Sequence, residues 1–138
     1  ESLSTKRCQL RFLPLLPQPA FDELLWASEL NFVRGEDSLV RALWAGQPLV
    51  WNIYPQHDHA HHDKLHAFLD WLDAPPSLRL AHALWNGLPC GKGAGWPALT
   101  PALLAEWRAC VQQARTRLLA QADLASQLQA FAASKEKG

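Results

Sequence analysis

The run Leu49-Val50-Trp51-Asn52-Ile53-Tyr54 is apolar nearly throughout and follows Gly46 and Pro48. A stretch of this length and composition reads as a β-strand buried on both faces. Such a strand needs covering layers on either side, which points to a parallel sheet flanked by helices.

The sequence before it repeats the pattern that builds such a sheet. Leu10 to Leu13 is a short β-rich run closed by Pro14 and Pro17. Phe21 to Ala27 follows as a helix with Phe21, Leu24 and Leu25 on one face. Leu30 to Val33 is a second strand, and Ser38 to Ala45 a second helix with Leu39, Leu43 and Trp44 inward. Gly46 stands where a helix C-cap belongs, and Pro48 prevents continuation. Strand, helix, strand, helix, strand with short turns implies a Rossmann-like α/β fold. The second half is helical. Leu65, Phe68, Leu69 and Leu72 mark one amphipathic face, and Leu78 to Trp85 another. After a Gly/Pro-rich loop at Gly87 to Pro97, Leu103 to Leu118 marks a long helix and Leu124 to Phe131 a last one. Ser134 to Gly138 reads as a polar, frayed tail.

The 138 residues suit one compact domain, residues 1–138. Three strands are few for such a domain, so further strands are expected upstream of Glu1. The chain contains no methionine, so it is expected to be a piece of a longer polypeptide. Lys plus Arg and Asp plus Glu are 13 each, so there is no basic footprint for nucleic acid. No apolar run approaches the roughly 20 residues that cross a bilayer, and no secretory signal is visible. Cys8, Cys90 and Cys110 form no CxxC, a usage that favours a reducing compartment and buried or idle thiols.

The informative stretch is Arg34-Gly35-Glu36-Asp37-Ser38, between a strand and the helix after it. In open α/β sheets that is the carboxyl edge, where ligands bind. A helix N-terminus there offers free N–H groups and partial positive charge to a phosphate. Gly35 permits the turn and close approach of a ligand. Ser38 adds a hydroxyl donor, and Arg34 can clamp phosphate oxygens. Glu36 suits ribose hydroxyls, while Asp37 suits capping the helix or holding Arg34. The same five residues also fit an ordinary capped turn with an Arg–Asp surface pair. Tyr54 and Gln56 end the third strand at the same edge, and Tyr54 could offer its hydroxyl to a phosphate or simply be half-buried. Gln18 and Phe21 follow the first strand; Phe21 could stack on a base or belong to the helix core.

The strings Phe21 to Trp26, Leu30 to Ser38 and Val50 to Gln56 resemble the EarP family, protein-arginine rhamnosyltransferases that modify elongation factor P in bacteria. The resemblance is dense from Pro14 to Leu69 and looser beyond Leu72. It implies the C-terminal, nucleotide-sugar-binding domain of a GT-B glycosyltransferase in the bacterial cytoplasm. It further implies inverting transfer of rhamnose from dTDP-β-L-rhamnose to an arginine of elongation factor P. Carried over position by position, Arg34, Gly35, Glu36, Asp37, Ser38 and Tyr54 match the family's donor site, and Gln18 and Phe21 match positions near the thymine. Leu15 stands where an aromatic is expected, which removes one side of a base stack. The family's catalytic base is an aspartate of the N-terminal domain, so no catalytic residue is expected here. The donor is a substrate, and neither cofactor nor metal is expected.

Two other readings compete. Gln56 to His66 reads QHDHAHHDKLH, and His62 and His66 are spaced i, i+4, as in helical metal sites. The cluster His57 to His66 therefore suggests a His-rich metal-binding module. The third reading keeps the GT-B fold with another nucleotide sugar, such as a UDP-sugar.

Overall fold

The computed structural model describes residues 2–5, 8–55 and 60–135. Its elements run β1 (Ser2–Thr5), β2 (Cys8–Arg11), α1 (Gln18–Ala27), β3 (Asn31–Arg34), α2 (Glu36–Ala45), β4 (Leu49–Asn52), α3 (Ala60–Leu72), α4 (Pro76–Trp85), α5 (Pro101–Leu119) and α6 (Leu124–Lys135). β3 and β4 pair in parallel, with Asn31 opposite Leu49 and Arg34 opposite Asn52, joined through α2. This is the small parallel sheet with flanking helices that the pattern implies. Leu49, Val50 and Trp51 are all buried, so both faces of β4 are covered, as its continuous apolar run requires.

The first strand departs from expectation. It covers Cys8–Arg11 rather than Leu10 to Leu13, and it pairs antiparallel with β1 instead of extending the parallel sheet. Hairpin pairing to the nearest segment closes a short loop, which costs less entropy than pairing across α1. Phe12 and Leu13 are left more than half exposed, and Leu15 fully so.

The helices form where the sequence permits them. α1 begins behind Pro17, with Pro19 in its first turn, where a missing N–H is harmless. α2 ends at Gly46, whose φ of 71° lets its N–H reach the carbonyls of Ala42 and Leu43. α5 starts at Thr100, whose hydroxyl accepts from the Leu103 N–H at 3.2 Å. α6 continues through Ser134 and Lys135, so the polar end is helical at least that far.

Leu65, Leu69, Leu72, Leu78, Trp107, Val111 and Ala114 close the core between the helices and β4. Leu39 and Leu43 of α2 point inward as expected, but Trp44 is 42% exposed. It lines the cleft between α1 and α2. Cys90 is half-buried and Cys110 buried, both as free thiols. Burial pushes the Cys110 thiol above its ordinary range. No helix among the described residues is long and apolar enough to cross a membrane.

The outer edge of β4 is sealed by side chains rather than by another strand. His82, buried on α4, accepts the Trp51 backbone N–H through Nε2 at 3.1 Å. Its Nδ1 donates to the Leu78 carbonyl at 2.9 Å, which fixes the neutral tautomer. Asn86 accepts from the Ile53 N–H at 3.0 Å and donates to the Trp51 carbonyl at 2.8 Å. These bonds satisfy strand groups that would otherwise be buried without partners. Desolvation lowers the His82 pKa to about 4.

Candidate functional site

The Arg34–Ser38 turn lies at the carboxyl end of β3, as the strand–helix order requires. Gly35 occupies φ 79°, ψ 168°, a region open essentially to glycine alone. Its N–H donates to the Asn52 carbonyl at 3.2 Å, and its carbonyl accepts the first intrahelical bond of α2, from Leu39 N–H at 3.2 Å. The N–H groups of Glu36, Asp37 and Ser38 precede that bond, and no side chain caps them. They are the unpaired donors of a helix N-terminus, the kind of end that can receive an anion. The expected cap from Asp37 is absent: its side chain is exposed and the N-cap residue is Gly35. Nor do Asp37 and Arg34 form an ion pair, since the ion pairs among the described residues are Arg41–Asp22 and Arg79–Asp70. A solvated first-turn carboxylate gains from the helix dipole without either contact.

Arg34 instead lies over the Tyr54 ring, its Cζ 5.0 Å from the ring centroid. The ring also covers Gly35: a Cβ there would stand 2.8 Å from Tyr54 Cε2. Tyr54 lies just past β4, which ends at Asn52, and is half exposed. The turn glycine, the guanidinium and the phenol thus form one face. From below, the buried Trp51 indole donates to the Gly35 carbonyl at 3.1 Å.

Around the first turn of α2 opens a cleft of about 1170 Å³, lined by Asp37, Ser38, Arg41 and Trp44 of α2 and by Gln18, Phe21 and Leu24 of α1, with the Leu13–Leu16 loop as its rim. The eight expected site residues therefore fall into two adjoining groups. Gln18, Phe21, Asp37 and Ser38 line the cleft; Arg34, Gly35 and Tyr54 form the face beside it, and Glu36 stands exposed between them. Phe21 is partly buried against the core and also lines the cleft. Leu15, where an aromatic was expected, is fully exposed on the rim.

Arg41 was not singled out from the sequence. It donates to both Asp22 carboxylate oxygens, at 2.9 and 2.8 Å. With its amide oxygen turned toward the guanidinium, Gln18 accepts from Arg41 Nη1 at 3.1 Å, Nη2 at 3.2 Å and Nε at 2.5 Å. This braces α1 against α2 and directs the Gln18 NH₂ away from Arg41. The spacing held the signal, because Arg41 is i+4 from Asp37 and i+3 from Ser38 and shares their helix face.

The histidine-rich segment is partly visible. Gln56, His57, Asp58 and His59 lie outside the described residues. His61 and His62 begin α3, and His66 borders a separate shallow pocket beside Cys90. Among the described residues, no group of three or more His, Cys, Asp or Glu side chains is placed to hold a metal ion.

An uncapped helix N-terminus, an arginine and a glycine turn at the carboxyl edge of a parallel sheet define an α/β domain with the edge at which such sheets commonly take ligands. The family model described as elongation factor P rhamnosyltransferase EarP matches residues 1–133, and the chain belongs to that family. It is 41% identical over 131 residues to a protein-arginine rhamnosyltransferase of Pseudomonas putida, covering 88% of this chain and 33% of the relative. It is 40% identical over 129 residues to the Pseudomonas aeruginosa protein of the same name, covering 89% and 34%. A solved structure described as the structural basis for EarP-mediated arginine glycosylation of translation elongation factor EF-P superposes with a TM-score of 0.65 at 34% identity. It covers 91% of this chain and 41% of that one. The chain thus spans about a third of the length of the curated relatives it matches.

Proposed function

We propose that this chain is the donor-binding part of a GT-B protein-arginine rhamnosyltransferase acting in the bacterial cytoplasm. The donor is dTDP-β-L-rhamnose, and transfer to an arginine of elongation factor P inverts the anomeric centre. The observation that carries this reading is the uncapped α2 N-terminus, flanked by Arg34 and opening into the Gln18–Phe21 cleft. The diphosphate lies on the N–H groups of residues 36–38, with Arg34, Ser38 and the Tyr54 hydroxyl as further donors. Glu36 takes the ribose, and the base enters the cleft beside Gln18 and Phe21. Arg34 keeps no carboxylate partner among the described residues, so its charge is available to phosphate.

No metal is needed in this scheme, because N–H dipoles and Arg34 neutralise the leaving diphosphate. The acceptor guanidinium is a poor nucleophile and needs a carboxylate to orient it and draw off a proton. In an inverting reaction that carboxylate lies across the sugar from the diphosphate. Glu36 and Asp37 are on the diphosphate side, and the catalytic base belongs to the part of the relatives that this chain does not span.

Isothermal titration with dTDP, UDP and GDP tests the donor site. dTDP is expected to bind, and Arg34→Ala to weaken it by about 1.5–3 kcal/mol, as for a charged hydrogen-bond partner. Affinity retained within about twofold removes Arg34 from the phosphate site, and a preference for UDP or GDP replaces the donor.

A further inference from the structure

We infer that Trp51 is a positioning residue for the donor diphosphate, acting through the Gly35 peptide. The inference rests on the nucleotide reading of the α2 N-terminus and adds to it the element that aims the N–H donors.

Trp51 is held from several sides. His82 and Asn86 clamp its backbone, and Phe68 packs edge-on against its ring with centroids 5.3 Å apart. The ring is buried and its single polar atom points at the turn, donating to the Gly35 carbonyl at 3.1 Å. That carbonyl also accepts from Leu39. A peptide unit is planar and trans, so its C=O and N–H point in opposite directions. Drawing the Gly35 carbonyl toward the core therefore turns the Glu36 N–H outward, toward the ligand side.

The Gly35 conformation makes such a strut necessary. A residue at φ 79°, ψ 168° holds that geometry only when its surroundings over-determine it. Leu39 alone fixes the carbonyl to the helix, whereas Trp51 fixes it to the sheet. Without the indole N–H, the peptide is free to tilt, and the donors at residues 36–38 lose their common aim. An oriented donor set matters most for the diphosphate and little for the nucleoside.

The test compares dTDP with thymidine on wild type, Trp51→Phe and Phe68→Leu. Trp51→Phe keeps an aromatic ring and removes the N–H; Phe68→Leu loosens the packing around Trp51 and keeps the N–H. Trp51→Phe is expected to weaken dTDP about fivefold to tenfold, the scale of one hydrogen bond, with thymidine changed less than about twofold. Phe68→Leu should leave the dTDP-to-thymidine ratio unchanged. Equal losses for both ligands, the same selective loss in Phe68→Leu, or full dTDP affinity in Trp51→Phe overturns the inference. If Trp51→Phe does not fold, the wild-type Trp51 indole N–H resonance decides: it should shift with dTDP and not with thymidine, and an indole that ignores dTDP overturns the role. Wild type binding neither ligand defeats the nucleotide reading itself, and this inference with it, before any variant is compared.

Discussion

Gly35→Ala is the sharpest perturbation of the site. Two costs arise at once. A non-glycine residue at φ 79°, ψ 168° carries backbone strain of about 1–3 kcal/mol. The new Cβ would also stand 2.8 Å from Tyr54 Cε2 and 3.3 Å from Cζ and Oη, inside any ordinary contact. Tyr54 is half exposed, so its ring relieves the clash by swinging outward. That movement ends its contact with Arg34, worth about 0.5–1 kcal/mol at an exposed site. Together these predict a loss of about 1.5–4 kcal/mol, or a melting temperature lower by roughly 5–15 °C for a domain of this size. Binding of dTDP should weaken as well, since Arg34 and the Tyr54 hydroxyl leave their common face. Thermal melts and titrations of Gly35→Ala, Tyr54→Ala and the double variant separate the terms. Backbone strain persists without the tyrosine, whereas the clash does not, so the two changes should couple by about 1 kcal/mol. A Gly35→Ala chain that melts within about 2 °C of wild type and binds dTDP equally well refutes the reasoning.

Glu36→Gln should weaken dTDP and thymidine by similar factors if Glu36 holds the ribose; a loss seen only with the diphosphate form, in parallel titrations, assigns it an electrostatic role instead. His82 is neutral in the fold with its pKa lowered to about 4 from 6.5. The unfolded chain therefore binds more protons between these values, and stability falls as pH drops from about 6.5 toward 4, by about 3 kcal/mol in all. Urea melts across that range should show a pH dependence that His82→Gln removes, and an unchanged slope in the variant contradicts the assignment. This chain incubated with elongation factor P and dTDP-β-L-rhamnose should leave the acceptor mass unchanged; a gain of one deoxyhexose by mass spectrometry places the catalytic carboxylate within these residues.

The parallel β3–α2–β4 unit was legible because three independent signals agree on it. Leu49 to Ile53 is apolar on both faces, Gly46 and Pro48 stop α2, and Gly35 breaks the chain between β3 and α2. The position of the Arg34–Ser38 turn was legible for the same reason, since it follows from strand and helix order. The pairing of β2 was not, because a four-residue strand carries no record of its neighbour, and a hairpin partner was as available as a distant one. His82 was missed because it sits among apolar residues of α4, and Asn86 because it follows that helix as its C-cap; only the tertiary fold shows that they complete the edge of β4. The apolar character of Trp44 points it inward, yet the side of α2 it occupies borders the cleft. Arg41 gains its role only in the tertiary fold, where Asp22 and Gln18 close around it.

The proposed function stands on the α2 N-terminus holding the nucleotide diphosphate. Backbone amide shift mapping during a dTDP titration tests it most directly. The largest shifts are expected at the N–H groups of Glu36, Asp37 and Ser38, with smaller ones at Gln18 and Phe21. Shifts centred elsewhere, on the exposed Phe32–Trp85–Trp96 ring cluster or on the His61–His66 turn of α3, or none at saturating dTDP, would contradict it.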